Sequence, residues 1–434
     1  MFSQLGLSSS ACVSLARLGY ETPTPIQTEA IPLVLRGVDL LARAQTGTGK
    51  TAAFGLPIID RLLARGSGGV RRAPACLVLV PTRELAVQVH QALSSYAASA
   101  PLRLAAIFGG VALNRQVHVL QRGVDIVVAT PGRLLDHLQR RTIDLSAIDV
   151  LTLDEADRML DMGFLPALRR IVATLPRRRQ TLLFSATLSD AIIGLATQFT
   201  RDAVRVDVSA RQVVAATVTH QVHDVAVERK RDVLTHILTQ HGAGQALVFC
   251  RTKRGANRVG EDLGRRGVRA GVIHGNKSQG ARSRVLDDFK AGRVRVLVAT
   301  DIAARGLDIA HLPLVVNFDL PLIAEDYVHR IGRTGRAGQH GRAVSLMSAS
   351  EIGLLRQIQR VVAAPLERVA VPGTAETATR PVGESAPVRV KKVHSTDVLA
   401  TPRGPHARRN RYPGAREHRT DGRRPIGVVR LSGV

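Results

Sequence analysis

The chain reads as an α/β protein of two successive units, each a mostly parallel sheet flanked by helices, followed by a basic tail without a core. Three observations predict this. Short apolar runs alternate with helix-permissive stretches along most of the chain, the pattern of parallel sheets covered on both faces. A glycine-rich turn, Ala44-Gln45-Thr46-Gly47-Thr48-Gly49-Lys50-Thr51, joins the apolar run from Val38 to Ala42 to a helical stretch from Thr51 to Leu63. The periodicity loosens around residues 209–222 and is lost from about 369 onward. The expected units are 1–209, 210–368 and a disordered tail over 369–434.

The glycine-rich turn carries the first chemistry. Its backbone N–H groups and the positive end of the following helix form an anion site. Glycine lets the backbone close on phosphate oxygens that a Cβ would hold away. Lys50 is placed to reach the β- and γ-phosphates of a nucleoside triphosphate, and the Thr51 hydroxyl to bind Mg²⁺. The common form of the pattern begins with glycine, where this chain has Ala44.

Composition points to the partner. The 434 residues hold 61 Lys and Arg against 35 Asp and Glu, a formal charge of +26. Such a surplus suits a polyanion, and nucleic acid is the usual one. Cys12, Cys76 and Cys250 form no metal-binding set and suit a reducing compartment. Cys76 and Cys250 sit in apolar runs and read as core residues. There is no secretory pattern, and no apolar run nears the roughly 18 residues that span a bilayer. A cytoplasmic protein with no membrane partner is expected.

Residues 1–37 form a helical preface with Phe2, Leu5 and Leu7 on its apolar face. The loop from Gly19 to Gln27 holds Pro23 and Pro25, which stiffen it. A glutamine amide fixed there offers one donor and one acceptor, matching N6 and N7 of adenine and opposing O6 of guanine. Strands follow at Cys76–Val80, Ile126–Ala129, Val150–Leu153, Thr181–Phe184 and Val204–Val208, all expected to be buried. In the second unit they fall at Ala246–Cys250, Ala270–Ile273, Val294–Ala299, Leu314–Phe318 and Ala343–Met347. Ligands of such sheets bind at the carboxyl ends of the strands, and every polar cluster lies at one.

Pro81-Thr82-Arg83-Glu84-Leu85 and Thr130-Pro131-Gly132-Arg133 each put a hydroxyl and an arginine at a helix start. That suits a grip on a phosphodiester backbone, and equally an ordinary helix cap. Gly109-Gly110 allows a close backbone approach. Asp154 directly follows an apolar strand and fits Mg²⁺, largely through water. Its neighbour Glu155 is placed to polarise an attacking water. Asp157 faces elsewhere and is expected to pair across a domain cleft. The hydroxyls of Ser185 and Thr187 are placed to report nucleotide state.

The second unit has no phosphate loop, so it completes the first site rather than forming its own. Its strand ends carry His274-Gly275 with Gln279 and Arg282, then Thr300-Asp301, then Arg305-Gly306-Leu307-Asp308. In Tyr327-Val328-His329-Arg330-Ile331-Gly332-Arg333-Thr334-Gly335-Arg336, arginines recur every third residue. A cluster of this kind is expected outside the core, reaching a γ-phosphate across a cleft. The tail holds 13 Lys and Arg against 5 Asp and Glu, a composition for sequence-independent attraction to phosphates.

Taken as an ordered set over residues 1–360, these motifs closely resemble the DEAD-box ATP-dependent RNA helicases. The runs His274–Gln279 and Glu325–Arg336 look nearest to the bacterial RhlE-type subgroup. The resemblance implies two RecA-like domains closing over ATP, Mg²⁺ and single-stranded RNA. It places Gln27 on adenine with Phe2 or Tyr20 packing on the base, and residues 44–51 on phosphate and Mg²⁺. Alanine at position 44 is usual in this family. Asp154 and Glu155 become the Mg²⁺ and water-activating carboxylates, and Asp308 meets the ribose. Arg333 and Arg336 become arginine fingers. Arg83, Gly110, Thr130 and Arg133, with Thr252, Arg282 and Thr300, hold RNA. Asp157, Ser185, Thr187, His329 and Arg330 couple hydrolysis to strand separation.

A site split between two domains makes catalysis depend on closure, and RNA bridging both favours closure. By linkage, RNA and ATP then raise each other's affinity equally. Contacts to phosphate and 2′-OH give preference for RNA with little sequence reading. Local separation of short duplexes follows, with ribosome-assembly or RNA-decay proteins as compatible partners. A DNA helicase and an ATP-timed RNA clamp or annealing protein are the rival readings.

Overall fold

The computed structural model describes residues 1–45, 47–65, 73–208, 218–242, 244–304, 307, 309, 311–335, 340–362 and 366–371. Seven strands build the first sheet: β1 (Leu40–Arg43), β2 (Cys76–Leu79), β3 (Leu104–Ile107), β4 (Ile126–Ala129), β5 (Val150–Leu153), β6 (Gln180–Ser185) and β7 (Val204–Asp207). Seven more build the second: β8 (Val218–Asp224), β9 (Ala246–Phe249), β10 (Ala270–Ile273), β11 (Val296–Ala299), β12 (Leu314–Asn317), β13 (Gly341–Met347) and β14 (Glu367–Arg368). The first sheet runs β3-β4-β2-β5-β6-β1-β7 and the second β10-β11-β9-β12-β13-β8-β14. Adding seven to each strand number of the first gives the second, so the two RecA-like domains share one topology. All strand pairings are parallel.

Central strands β2, β4, β5, β9, β11 and β12 are buried along their whole length. Their aliphatic residues feed cores on both faces, as continuous apolar runs require. Cys76 and Cys250 are core residues, as expected. The expected buried strand at Val204–Val208 is instead an edge strand: of its residues 204–207 only Val206 is buried. Among the described strands it pairs with β1 alone, at the end of the sheet, and only its Val206 is covered.

Helices start where the sequence supplies caps. Thr82 accepts from Leu85 N at 3.3 Å before the helix Arg83–Tyr96, and Thr252 from Gly255 N at 2.9 Å before Lys253–Arg265. Ser278 does the same for Gln279–Lys290. These helices begin at the carboxyl ends of β2, β9 and β10, which brings their first turns to one side of each sheet. Of the tail, only residues up to 371 are described; Val369 N donates to Val222 O, extending the pairing of β14 with β8. Among the described residues no helix is long and apolar enough to cross a membrane.

Candidate active site and adjoining groove

Beyond β1 the chain turns through positive φ at Gly47 (82°) and Gly49 (92°), then enters the helix Lys50–Ala64. A Cβ on Gly49 would stand 2.4 Å from Gln27 Nε2, so both backbone conformation and space demand glycine. Gln27 is buried in the first turn of the helix Pro25–Leu35. Its Oε1 accepts from Thr24 N at 2.9 Å, and its Nε2 donates to Gly49 O at 3.2 Å. One amide hydrogen and one lone pair remain. Lys50 is buried, with Nζ donating to Ala44 O at 3.0 Å. Thr48 Oγ1 donates to Gln45 O at 2.7 Å, fixing the turn. Thr46 lies outside the described residues.

The carboxylates follow β5. Asp154 and Glu155 are both buried. Burial pushes the Asp154 carboxyl up to about 6, with Glu155 and Asp157 adding to the shift and Lys50 opposing it. Glu155 has φ 54° and ψ 53°. For a residue with a Cβ this costs about 1–3 kcal/mol, and such strain gathers at working sites. Asp157, expected to pair across the cleft, accepts among the described residues from Ala186 N at 3.1 Å, with Thr187 Oγ1 3.5 Å from the same oxygen. Thr187 N donates to the buried Ser185 Oγ at 3.2 Å. The acidic turn after β5 and the hydroxyl turn after β6 are thereby tied within one domain, because those strands are neighbours.

A cavity of about 440 Å³ lies between the domains. The first domain lines it with Tyr20, Gly47, Gly49, Lys50, Thr51, Asp154 and Glu155, and the second with Leu307, Ile309 and Arg333. Arg333 is buried, its Nη1 donating to Leu307 O at 2.6 Å. Tyr20 bonds its hydroxyl to that of Tyr96 at 3.1 Å, and Phe2 packs edge-on behind it, 6.4 Å between ring centres. Phe2 belongs to the core and Tyr20 to the cavity wall.

Arg330 corrects the expectation that the arginine cluster avoids the core. It is 2% exposed, stacks 4.9 Å over Phe249 and holds Asp301 through Nε (2.6 Å) and Nη2 (2.8 Å). It also donates to Asn317 Oδ1 and Asp319 O. With four of its five N–H groups accepted and an aromatic face beneath it, the guanidinium has the partners that burial demands. His329 Nδ1 stands 3.6 Å from Asp326 Oδ1. Asp308 and Arg336 lie outside the described residues, as do Arg305 and Gly306.

A second cavity, about 550 Å³, adjoins on the same side of the sheets. It brings together Arg83, Gly110, Thr130, Arg133 and Arg282. Thr252 and Thr300 do not line it: Thr252 caps its helix at the surface, and Thr300 is buried. The Arg83 guanidinium lies against Gly110, where a Cβ would stand 2.0 Å from Nη1. Arg133 donates to Val111 O and Gln116 Oε1, both at 3.1 Å. Glu84 joins the domains: its two oxygens accept from Gln279 Nε2 and Arg282 Nη2, each at 2.9 Å. Burial lowers the Arg282 pKa and Glu84 opposes the shift. Sequence reasoning assigned no role to Glu84, Arg158, Leu307 or Ile309. A carboxylate beside Arg83 in a helix's first turn was the only available signal.

A phosphate-loop sheet facing a second sheet of the same topology across a shared cavity defines a two-domain helicase core. The chain belongs to the DEAD/DEAH box helicase family: that family's model matches residues 24–193, and the helicase conserved C-terminal domain matches residues 229–338. It is 43% identical to the DEAD-box ATP-dependent RNA helicase CshA of Geobacillus kaustophilus over 371 residues, covering 86% of this chain and 78% of that one. Among solved structures, a Dbp5 variant of S. cerevisiae bound to RNA and ADP BeF3 superposes with a TM-score of 0.78 at 32% identity, covering 86% and 96% of the two chains. The same Dbp5 variant bound to a Gle1 variant and IP6 superposes at 0.68, with 31% identity and coverage of 86% and 95%.

Proposed function

We propose that this chain is an RNA-stimulated ATPase that separates short RNA duplexes, or remodels RNA–protein complexes, by closing two domains on single-stranded RNA. One observation carries the reading: the 440 Å³ cavity is walled by Lys50, Asp154 and Glu155 from one domain and by Arg333 from the other. Neither domain alone encloses it, so turnover follows closure. The Glu84 contacts to Gln279 and Arg282 beside the adjoining groove support closure at the place where a strand would lie.

In this reading the turn from Ala44 to Thr51 cradles the phosphates, and Lys50 exchanges Ala44 O for a phosphate oxygen. Gln27 uses its remaining donor and acceptor on adenine, with Tyr20 beside the base and Phe2 behind it. Glu155 orients the attacking water, and Arg333 meets the charge that develops on the transferred phosphoryl group. Asp308 on the ribose and Arg336 as a second finger complete the set. The donors suit Mg²⁺: Asp154 is a buried carboxylate whose charge Lys50 and the Glu155 N–H only partly offset, and Thr51 adds a hydroxyl. When bound, the ion would neutralise charge on the phosphates.

Arg83, Gly110, Thr130, Arg133 and Arg282 hold the RNA backbone along the groove, with Thr252 and Thr300 extending the track. Asp157, Ser185 and Thr187 transmit the state of the phosphates, with His329 and Arg330 answering from the second domain. Domain limits of 1–209 and 210–368, an RhlE-type subgroup, a cytoplasmic site and ribosome-assembly or RNA-decay partners complete the proposal.

ATP hydrolysis without nucleic acid, with single-stranded RNA and with matched DNA at fixed salt tests this. RNA-specific stimulation that disappears in Lys50→Ala and Glu155→Gln is expected. Equal stimulation by DNA would point to a DNA helicase. RNA binding without any stimulation would break the link between closure and chemistry.

A further inference from the structure

We propose that Arg158 is a positioning residue that makes the orientation of Glu155 depend on domain closure. Arg158 sits in the helix Ala156–Asp161, directly after the acidic turn, and is buried. Its Nε lies 3.7 Å from Glu155 Oε2, and both side chains are almost fully enclosed. The same side chain walls a narrow gap of about 10 Å³, room for about one water. The rest of that gap belongs to the second domain and includes Asp326, His329, Arg330 and Arg333. Arg158 is therefore anchored in one domain and partly enclosed by the other.

This placement changes what the ion pair is worth. A guanidinium–carboxylate pair enclosed by protein is held firmly, because its attraction is weakly screened. Once a side opens to water, such a pair contributes little. Separation of the domains removes the Asp326 and His329 wall and hydrates Arg158. Closure restores the wall, and with it the hold on Glu155. The charges alternate across the cleft: Glu155, then Arg158, then Asp326, with His329 Nδ1 3.6 Å from Asp326 Oδ1. Arg333 lines both this gap and the cavity that holds Lys50 and Glu155. The movement that brings Arg333 over the phosphates is thus the movement that fixes Glu155. An arginine fits the task because its planar fork can serve two partners at a fixed angle.

The inference rests on the reading of Glu155 as the group that orients water. The test uses the full chain with saturating single-stranded RNA and five variants: Arg158→Ala, Arg158→Lys, Asp326→Asn, the Arg158→Ala and Asp326→Asn combination, and Glu155→Gln. Turnover and KM for ATP are measured together with affinity for a fluorescent ADP. Arg158→Ala is expected to lower RNA-stimulated kcat about ten- to a hundredfold with KM and ADP affinity within about twofold, since misplacement costs kcat rather than binding. Arg158→Lys, which keeps the charge, should recover part of the loss. Asp326→Asn should lower kcat too, and its combination with Arg158→Ala should fall no further than the worse single variant.

Wild-type turnover in Arg158→Ala, with Glu155→Gln inactive, overturns the inference and leaves the role of Glu155 standing. Wild-type turnover in Glu155→Gln overturns that role itself. Additive effects of the Arg158 and Asp326 changes would confine Arg158 to its own helix and also overturn the inference. Should Arg158→Ala fail to fold, the Arg158→Lys and Asp326→Asn pair gives the same decision.

Discussion

Lys50 and Lys230 occupy the same place in two sheets of one topology. Each is the first residue of the helix that follows the first strand of its own sheet, after β1 and after β8. Both are buried. Lys50 rests on a backbone carbonyl, Ala44 O, at the end of a turn with two glycines at positive φ. Lys230 instead meets Glu351 Oε2 at 2.7 Å and Phe318 O at 3.0 Å. Glu351 also takes Arg251 Nη2 at 2.5 Å and the backbone N–H groups of Leu320 and Ser348. The first domain keeps a place for an arriving anion, whereas the second has filled that place with its own carboxylate. Topology offers the position, and two glycines or one glutamate decide its use.

The comparison breaks most visibly at the lysines. Lys50→Ala should cost about a hundred- to a thousandfold in RNA-stimulated ATPase, the scale of one lost electrostatic contact to the transition state, with the fold intact by circular dichroism. At Glu351 the damage should be structural instead. Glu351→Ala leaves the buried Lys230 with only the more distant Asp319 carboxylate, 3.8 Å away, and should lower stability in chemical denaturation by about 3 kcal/mol. If ATPase vanished while stability held, the two sites would be more alike than their contacts are.

Their acids should also respond oppositely to pH. Asp154 is raised from 3.8 to about 6, foremost by burial, so its favourable contribution is present below 3.8 and is lost as pH rises through about 6. Asp154→Asn should therefore stabilise the ligand-free protein above pH 6, by at most about 3 kcal/mol, and not below pH 4. Glu351 is lowered from 4.5 because the Lys230 and Ser348 bonds outweigh its burial. Its contribution is present above 4.5 and lost on acidification, so Glu351→Gln should cost less in acid than at neutrality. Denaturation midpoints across pH check both signs.

Smaller effects sharpen the relation between the halves. Glu84→Ala and Arg282→Ala should each lower RNA-stimulated turnover about tenfold. Their double variant should match either single one, because a shared contact is lost once. Gly110→Ala, strained at φ 85° and crowding Arg83, should weaken RNA affinity a few-fold, about 1 kcal/mol, in a filter-binding assay.

Much of this molecule was legible where chemistry is local. Apolar runs placed most central strands, and the glycine turn and acidic turn stood at strand ends as expected. β3 went unread because Leu104-Ala105-Ala106-Ile107 carries only a weak strand signal. β8 showed only as a stretch where periodicity loosens, since Thr219, His220, Gln221 and His223 interrupt its apolar pattern. Val204–Asp207 looked buried because sequence shows alternation but not which edge lacks a neighbour. Glu84 escaped notice for a different reason: its partner Gln279 is 195 residues away, and no periodicity records such a meeting. Arg330 misled because sequence gives its charge but not the three acceptor groups folded around it.

The Glu84–Arg282 pair has a consequence for salt. Cations that a strand neutralises release counterions, and the slope of affinity against salt counts them, at about 0.7 per contact for single strands. Arg282 already carries the Glu84 carboxylate, and Arg133 stands 3.5 Å from that of Asp136. Closing the groove around a strand therefore sheds fewer ions than its three guanidiniums would suggest. The grip should persist at ionic strengths that strip away a purely electrostatic binder.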